Sequence, residues 1–273
     1  MDNNLLNFKI FDEKFYHNNY LKFKDFKSKN ELFQHWLLHG RHQDFCLNQE
    51  QLKKRYNLNI EYSSNLIKNI KFKENSDIIF NILIRTSNRP DYFKKCIESI
   101  RKQKFSGEVR IHVCYDTLET FKYVKKYKDI NLIFIENDKK YYSFNLYCNE
   151  LLNEVKEGWI IFIDDDDMFL TDNSLNIISS RISNENDLII WEFLRPDKII
   201  APKEKFKLGE IDTTCFCFHN NYKNRSKWVS DMCSDFTYFE KLDKKCNFNK
   251  IFLNLPLTRT IFTDKIAGHG INY

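Results

Sequence analysis

The chain has 273 residues, 42% hydrophobic and 30% charged, with 6 Gly and 4 Pro against 25 Phe and 14 Tyr. Such a composition excludes collagen-like and linker-like chains and describes a globular protein, long enough for one large domain or a domain with a small companion. The formal net charge of +5 comes from 43 basic and 38 acidic residues; it mildly favours anionic ligands, and without a Lys/Arg cluster interleaved with aromatics it argues against nucleic-acid binding.

Residues 1–60 read as short helices. Phe11, Phe15, Tyr16 and Tyr20 recur at helical spacing. Ser28, with Glu31 three residues on, marks the start of a second helix, and Gly40 marks its stop. Residues 48–56 form a third helix, and the polar stretch 61–76 is the expected connector. The division predicted is therefore a helical region over 1–75 and a main domain over 76–273.

From Asp77 the pattern changes to alternating strands and helices: strands at 78–84, 109–115, 130–135 and 159–163, and helices at 89–104, 118–128 and 143–155. That alternation predicts an α/β fold with a parallel sheet covered on both faces. Ligands of such sheets bind beyond the carboxyl ends of the strands, which directs attention to the residues following each one. After the first strand come Thr86, Asn88 and Arg89, able to hydrogen-bond or attract an anion at the next helix, or simply to cap it. After the second comes Asp116, suited to a nucleobase N–H or ribose hydroxyl, or again to a cap.

After the fourth strand stand Asp164, Asp165, Asp166 and Asp167. Neighbouring carboxylates repel by about 1 kcal/mol per pair even when screened by water. Such a run at the end of a buried strand makes sense where a divalent cation sits, and Mg²⁺ and Mn²⁺ prefer carboxylate oxygens. An EF-hand would need Gly where Phe169 stands, and a haloacid-dehalogenase-type phosphatase would need Thr where Met168 stands. An Asp-x-Asp site for a nucleotide sugar is the remaining reading.

Ile84-Arg85-Thr86-Ser87-Asn88-Arg89-Pro90, Asp116, Asn145 and Phe162-Ile163-Asp164-Asp165-Asp166-Asp167, in this order and spacing, resemble family 2-like GT-A glycosyltransferases. The sequence departs from that pattern at Cys114-Tyr115-Asp116-Thr117 and at Lys139-Lys140-Tyr141-Tyr142. The resemblance implies a GT-A fold, that is a Rossmann-like, mostly parallel central sheet, here with a small α-helical N-terminal region. That region, with Phe11 to Tyr16 and Trp36 to Gly40, resembles a helical unit beside some bacterial and large-virus glycosyltransferases.

It further implies a nucleotide-sugar donor, uridine-based, held by Thr86, Asn88, Arg89, Asp116, Asn145, Asp164 and Asp165. A Mn²⁺ or Mg²⁺ cofactor would sit on Asp166 and Asp164, with His269 as a C-terminal ligand. In the family an acid opening a late helix is the general base of inverting members. Asp235 fits that place best and Asp231 second, against the reading of both as ordinary first-turn acids. Beyond residue 172, strands are expected at 183–192 and 209–219, and residues 228–236 are expected to open a helix that runs to Leu242.

The expected activity is metal-dependent transfer of a sugar to a glycan or protein acceptor, with inversion. The alternatives are a binder of glycans or sugar nucleotides without turnover, and a nucleotidyltransferase, which would want glycines that 86–90 lack. Eight cysteines without a C-x-x-C pair read as reduced thiols. With no signal-peptide pattern and no span-length apolar stretch, the expected location is cytoplasmic, or a host cytoplasm or virion for a viral chain. A homodimer is left open.

Overall fold

The computed structural model describes residues 3–21, 28–136 and 142–262, so His269 lies outside the described residues. The chain divides into two compact units: residues up to Tyr62 with Leu194–Ile199 and Phe262, and Ser63–Phe193 with Ile200–Ile261.

The first unit opens with α1 (Asn3–Ile10), α2 (Glu13–Tyr20) and α3 (Lys29–Leu38), then a 3-10 turn at Gly40–Gln43 and the start of α4 (Gln49–Lys68), whose residues from Ser63 on belong to the second unit. Asp12 caps α2 by accepting from the Phe15 amide at 2.9 Å, and Ser28 caps α3 by accepting from the Glu31 amide at 3.3 Å. Phe11, Tyr16, Leu32, Phe33, Trp36 and Leu47 form a buried cluster.

Gly40 stands one residue past His39, the C-cap of α3, where a glycine that stops a helix belongs, and a Cβ there would run into the Tyr16 hydroxyl and the Trp36 ring. One expectation here is corrected: the third helix runs well past Tyr56, into the expected connector, because Leu52, Tyr56, Ser63 and Ile67 are all buried at helical spacing.

The strand–helix alternation follows as β1 (Ile79–Arg85), α5 (Pro90–Arg101), β2 (Glu108–Tyr115), α6 (Leu118–Val124), β3 (Ile130–Phe134), α7 (Tyr147–Glu154) and β4 (Trp159–Asp164). Beyond it lie β5 (Asp167–Phe169), α8 (Ser174–Ser179), β6 (Asp187–Leu194), β7 (Ile199–Ile200), β8 (Phe216–His219), α9 (Ser234–Lys245) and β9 (Asn249–Thr260). Among the described residues the strands make one sheet in the order β3-β2-β1-β4-β8-β6-β9-β5, with β7 beside β6.

The strands β3, β2, β1 and β4 are mutually parallel, whereas β8 runs antiparallel to both β4 and β6. Residues Ile82–Ile84 and Ile160–Ile163 are buried without alternation, as strands covered on both faces must be. The amphipathic helices supply the cover: α5 buries Phe93, Cys96, Ile97 and Ile100, and α7 buries Tyr147, Cys148, Leu151 and Leu152. Successive strands run outward from β1 through β2 to β3, and the chain then crosses back to place β4 on the other side of β1. The carboxyl ends of β1 and β4 therefore flank the topological switch point, where an α/β sheet opens a crevice.

The expected strand over 209–219 is corrected to β8 alone. Residues before it turn instead: the Asp212 carboxylate accepts from the Thr214 amide at 3.3 Å and its carbonyl from the Cys215 amide at 3.3 Å. The elements β5, α8 and β9 were not among those expected. All eight cysteines are free, six of them buried. Among the described residues no helix is long and apolar enough to cross a membrane.

One backbone position decides how β4 enters the sheet. Gly158 holds φ +85°, and a Cβ there would stand 2.5 Å from the Ile79 carbonyl oxygen. Asn81, buried in β1, donates to the carbonyls of Glu157 at 2.8 Å and Trp159 at 3.3 Å across the same turn. Gly158→Ala is expected to destabilise the protein by more than about 1 kcal/mol, through strain and clash together, with a drop of several degrees in Tm by calorimetry. An unchanged Tm would show that the turn relaxes freely.

Candidate active site

Parallel pairing sets Arg85, the last residue of β1, in register with Asp164, the last of β4. Their side chains meet as a two-pronged ion pair, Arg85 Nε to Asp164 Oδ1 at 2.6 Å and Nη2 to Oδ2 at 2.8 Å. Arg85 Nη1 donates to Asn145 Oδ1, and Asn145 Nδ2 donates to the Asp231 carbonyl at 2.7 Å. Burial acts to raise the Asp164 pKa, but the Arg85 charge and its hydrogen bonds outweigh it, and the net shift is downward.

The second carboxylate points inward. Asp165 is wholly buried and accepts from the Thr86 hydroxyl at 2.6 Å and Arg89 Nε at 3.1 Å, and it also pairs with Arg89 Nη2. Burial lifts its pKa to about 7, against the pull of the Arg89 charge. Arg89 reaches Asp166 as well, Nη1 to Oδ2 at 3.2 Å.

Asp166 and Asp167 are both pushed upward by burial. For Asp166 the Arg89 charge opposes this and Asp164 adds to it; for Asp167 the nearby Asp212 adds to it first. Oxygens of Asp164, Asp166 and Asp167 lie within 4.8 Å of one another. Arg85 and Arg89 thus reach the first three carboxylates, while Asp212 lies close enough to Asp167 to push its pKa further up. An all-oxygen set of this kind fits a hard divalent cation.

The flanking loops answer the alternatives left open by the sequence. The N-cap of α5 is Arg89, with no side-chain cap bond, so neither Thr86 nor Asn88 caps that helix. Asn88 sits in the left-handed region at φ 53°, and its Oδ1 accepts from Thr117 at 3.1 Å and Thr120 at 3.4 Å. The hydroxyl of Thr86 is shared with Tyr123 at 2.8 Å. The cap of α6 is Thr117 rather than Asp116, which instead accepts from the Tyr147 hydroxyl at 3.1 Å.

In the C-terminal part of the sheet domain, Asp235 stands in the first turn of α9, accepting from the Phe236 amide at 2.8 Å. Burial raises its pKa to about 6, helped by Asp212 and opposed by Arg85. Asp231 is exposed and closes on the Met232 amide at 2.6 Å. Asp235 lies within the electrostatic field of Asp164.

The sequence did not point to Arg85, to Asp167 as part of the carboxylate cluster, or to Asp212. A cation closing a buried strand, straight after the apolar run Ile82–Ile84, was the available signal for Arg85. The approach of Asp212 depends on a loop distant in sequence and left none.

A doubly covered sheet with a carboxylate cluster at its topological switch point, at the end of β4, defines a GT-A-fold glycosyltransferase domain. Residues 81–244, more than half of the chain, match the model of glycosyl transferase family 2, and the chain belongs to that family. No curated protein matches it in sequence. Among solved structures it is similar in fold to S. aureus TarS 1–349 in complex with UDP, at 16% identity and TM-score 0.55, over 68% of this chain and 61% of that one. The same TarS segment with UDP-GlcNAc gives 16% identity and TM-score 0.55, over 68% and 59%. Against TarS itself the values are 16% and 0.54, and the matched region spans 37% of that chain.

Proposed function

We propose that the protein transfers a sugar from a UDP-sugar to a hydroxyl of a glycan or protein acceptor, with inversion at the anomeric carbon. The observation that carries this is the carboxylate cluster Asp164, Asp166 and Asp167 at the topological switch point, whose oxygens lie within 4.8 Å of one another. These residues would hold Mn²⁺ or Mg²⁺, which when bound supplies Lewis-acid stabilisation to the leaving diphosphate. TarS is solved with UDP and UDP-GlcNAc, which supports a uridine donor.

In this reading Asp116, oriented by Tyr147, accepts from the base or ribose, and Asn88 lines the same strand end. Thr86 and Arg89 act by holding Asp165, and so the whole run, in place. Asp235, its pKa lifted to about 6, takes the proton of the attacking hydroxyl. Residues 76–273 would carry the transferase and residues 1–75 a helical accessory region.

The test is thermal stability with UDP, GDP and CDP, each with and without Mn²⁺. Ligand at 100 times Kd adds about 2.7 kcal/mol to the folded state. UDP with Mn²⁺ is expected to raise Tm by several degrees, and either alone by much less. Absence of a shift with every nucleotide would overturn the donor site.

A further inference from the structure

We propose that Arg85 is a positioning residue that ties the donor-side carboxylates to the acceptor-side segment 228–235, so that the base on α9 is aligned through the first aspartate of the run. The inference rests on the roles given above to Asp164 and Asp235. A guanidinium presents its donors in a planar fork, and Arg85 uses that fork in two directions. Nε and Nη2 take the two oxygens of Asp164, while Nη1 takes the amide oxygen of Asn145. The other end of the Asn145 amide holds the Asp231 carbonyl at 2.7 Å.

A second path runs through rings. The guanidinium carbon of Arg85 lies 5.1 Å from the Phe144 ring centroid and 5.8 Å from that of Trp228. Trp228 is locked at its backbone by both ends of the Asn149 amide, each at 3.0 Å, and stacks on Tyr238 of α9 at 4.8 Å. The Val229 amide donates to the Ser234 hydroxyl at 3.0 Å, which joins the segment to the start of α9. The side chain of Arg85 is 13% exposed and that of Asp164 19%, so the pair is largely shielded from water. A lysine offers one compact charge and would satisfy Asp164 without also reaching Asn145 and the rings in the same geometry.

The experiment compares full-length wild type with Arg85→Lys, Arg85→Met and Asn145→Ala by amide hydrogen exchange, UDP–Mn²⁺ calorimetry and donor turnover. In Arg85→Met, exchange over 228–236 is expected to quicken by about tenfold, with β1 and β4 unchanged, because local opening reports local contacts. Asn145→Ala is expected to loosen the same segment while the Arg85–Asp164 pair stays. Arg85→Lys should keep UDP–Mn²⁺ affinity and donor KM within about threefold, yet lower kcat by about tenfold and leave the segment unprotected, since it restores charge and not the fork.

Wild-type exchange over 228–236 in both Arg85→Lys and Asn145→Ala would overturn the proposal, even if Arg85→Met failed to fold. Loss of donor binding in the lysine variant, with the segment still protected, would also overturn it and leave Arg85 a charge partner alone. If the wild type bound no UDP with Mn²⁺, the donor reading would fall, while the exchange comparison would still decide whether Arg85 couples the two sides.

Discussion

Asp166→Asn is expected to abolish the joint stabilisation by UDP and Mn²⁺ and to lower sugar transfer by roughly a thousandfold, the scale seen when charge stabilisation of a transition state is removed. Asparagine keeps the shape and can still accept from Arg89 Nη1, so the surrounding contacts survive. It lacks the anionic oxygen that a hard cation prefers. The folded protein should not suffer. The pKa of Asp166 is raised in the fold, chiefly by burial, so its ionised form is disfavoured there and its stability contribution declines as pH rises past the unfolded value. A neutral residue removes that penalty, and Tm without ligands at pH 7.5 should be equal to wild type or higher. Thermal shift of the two proteins side by side decides the matter. A metal-dependent nucleotide shift that persists in the variant would place the ion on other oxygens.

Asp235→Asn is the second large effect, and it should separate chemistry from binding. Transfer is expected to fall by about 10²- to 10⁴-fold, the usual contribution of a general base, while the UDP–Mn²⁺ shift stays as in wild type. The wild-type rate should rise with pH through about 6 and then level, since the base works when ionised and its pKa is lifted to about 6. The stability linkage has the opposite sign. A carboxyl that holds its proton more tightly when folded weakens the fold as pH climbs from the unfolded value near 4 to about 6. The asparagine variant should therefore match or exceed wild-type Tm above pH 6. Both readouts follow from UDP release and calorimetry across pH 4.5–8. Transfer at wild-type rate in the variant would remove the inverting mechanism with Asp235 as base.

Local pattern accounts for much of what was legible. The apolar runs of β1, β2 and β4 and the amphipathic helices between them announce a parallel sheet, because both faces of such strands must be buried. The aspartate run at the end of β4 was conspicuous because adjacent like charges need a compensating partner. Elements with weaker local pattern were misjudged. The helix α4 continues under a polar stretch because four buried positions keep its register, and 209–215 turns because Asp212 offers its own backbone an alternative to a strand.

What the sequence by itself determined was therefore the class of sheet, the strand end that carries the carboxylates, and Asp235 as the acid opening a late helix. Tertiary structure alone decided the partners of those groups. Arg85 meets Asp164 because two strands 79 residues apart in the chain run parallel in register. Asp212 bears on Asp167 because a loop far along the chain folds back over the run. Thr86 and Arg89 are seen to hold Asp165 only once β1 and β4 lie side by side. Side-chain pattern reports which face of an element is buried; which charges then share a low-dielectric crevice depends on long-range pairing, and that pairing sets their pKa values.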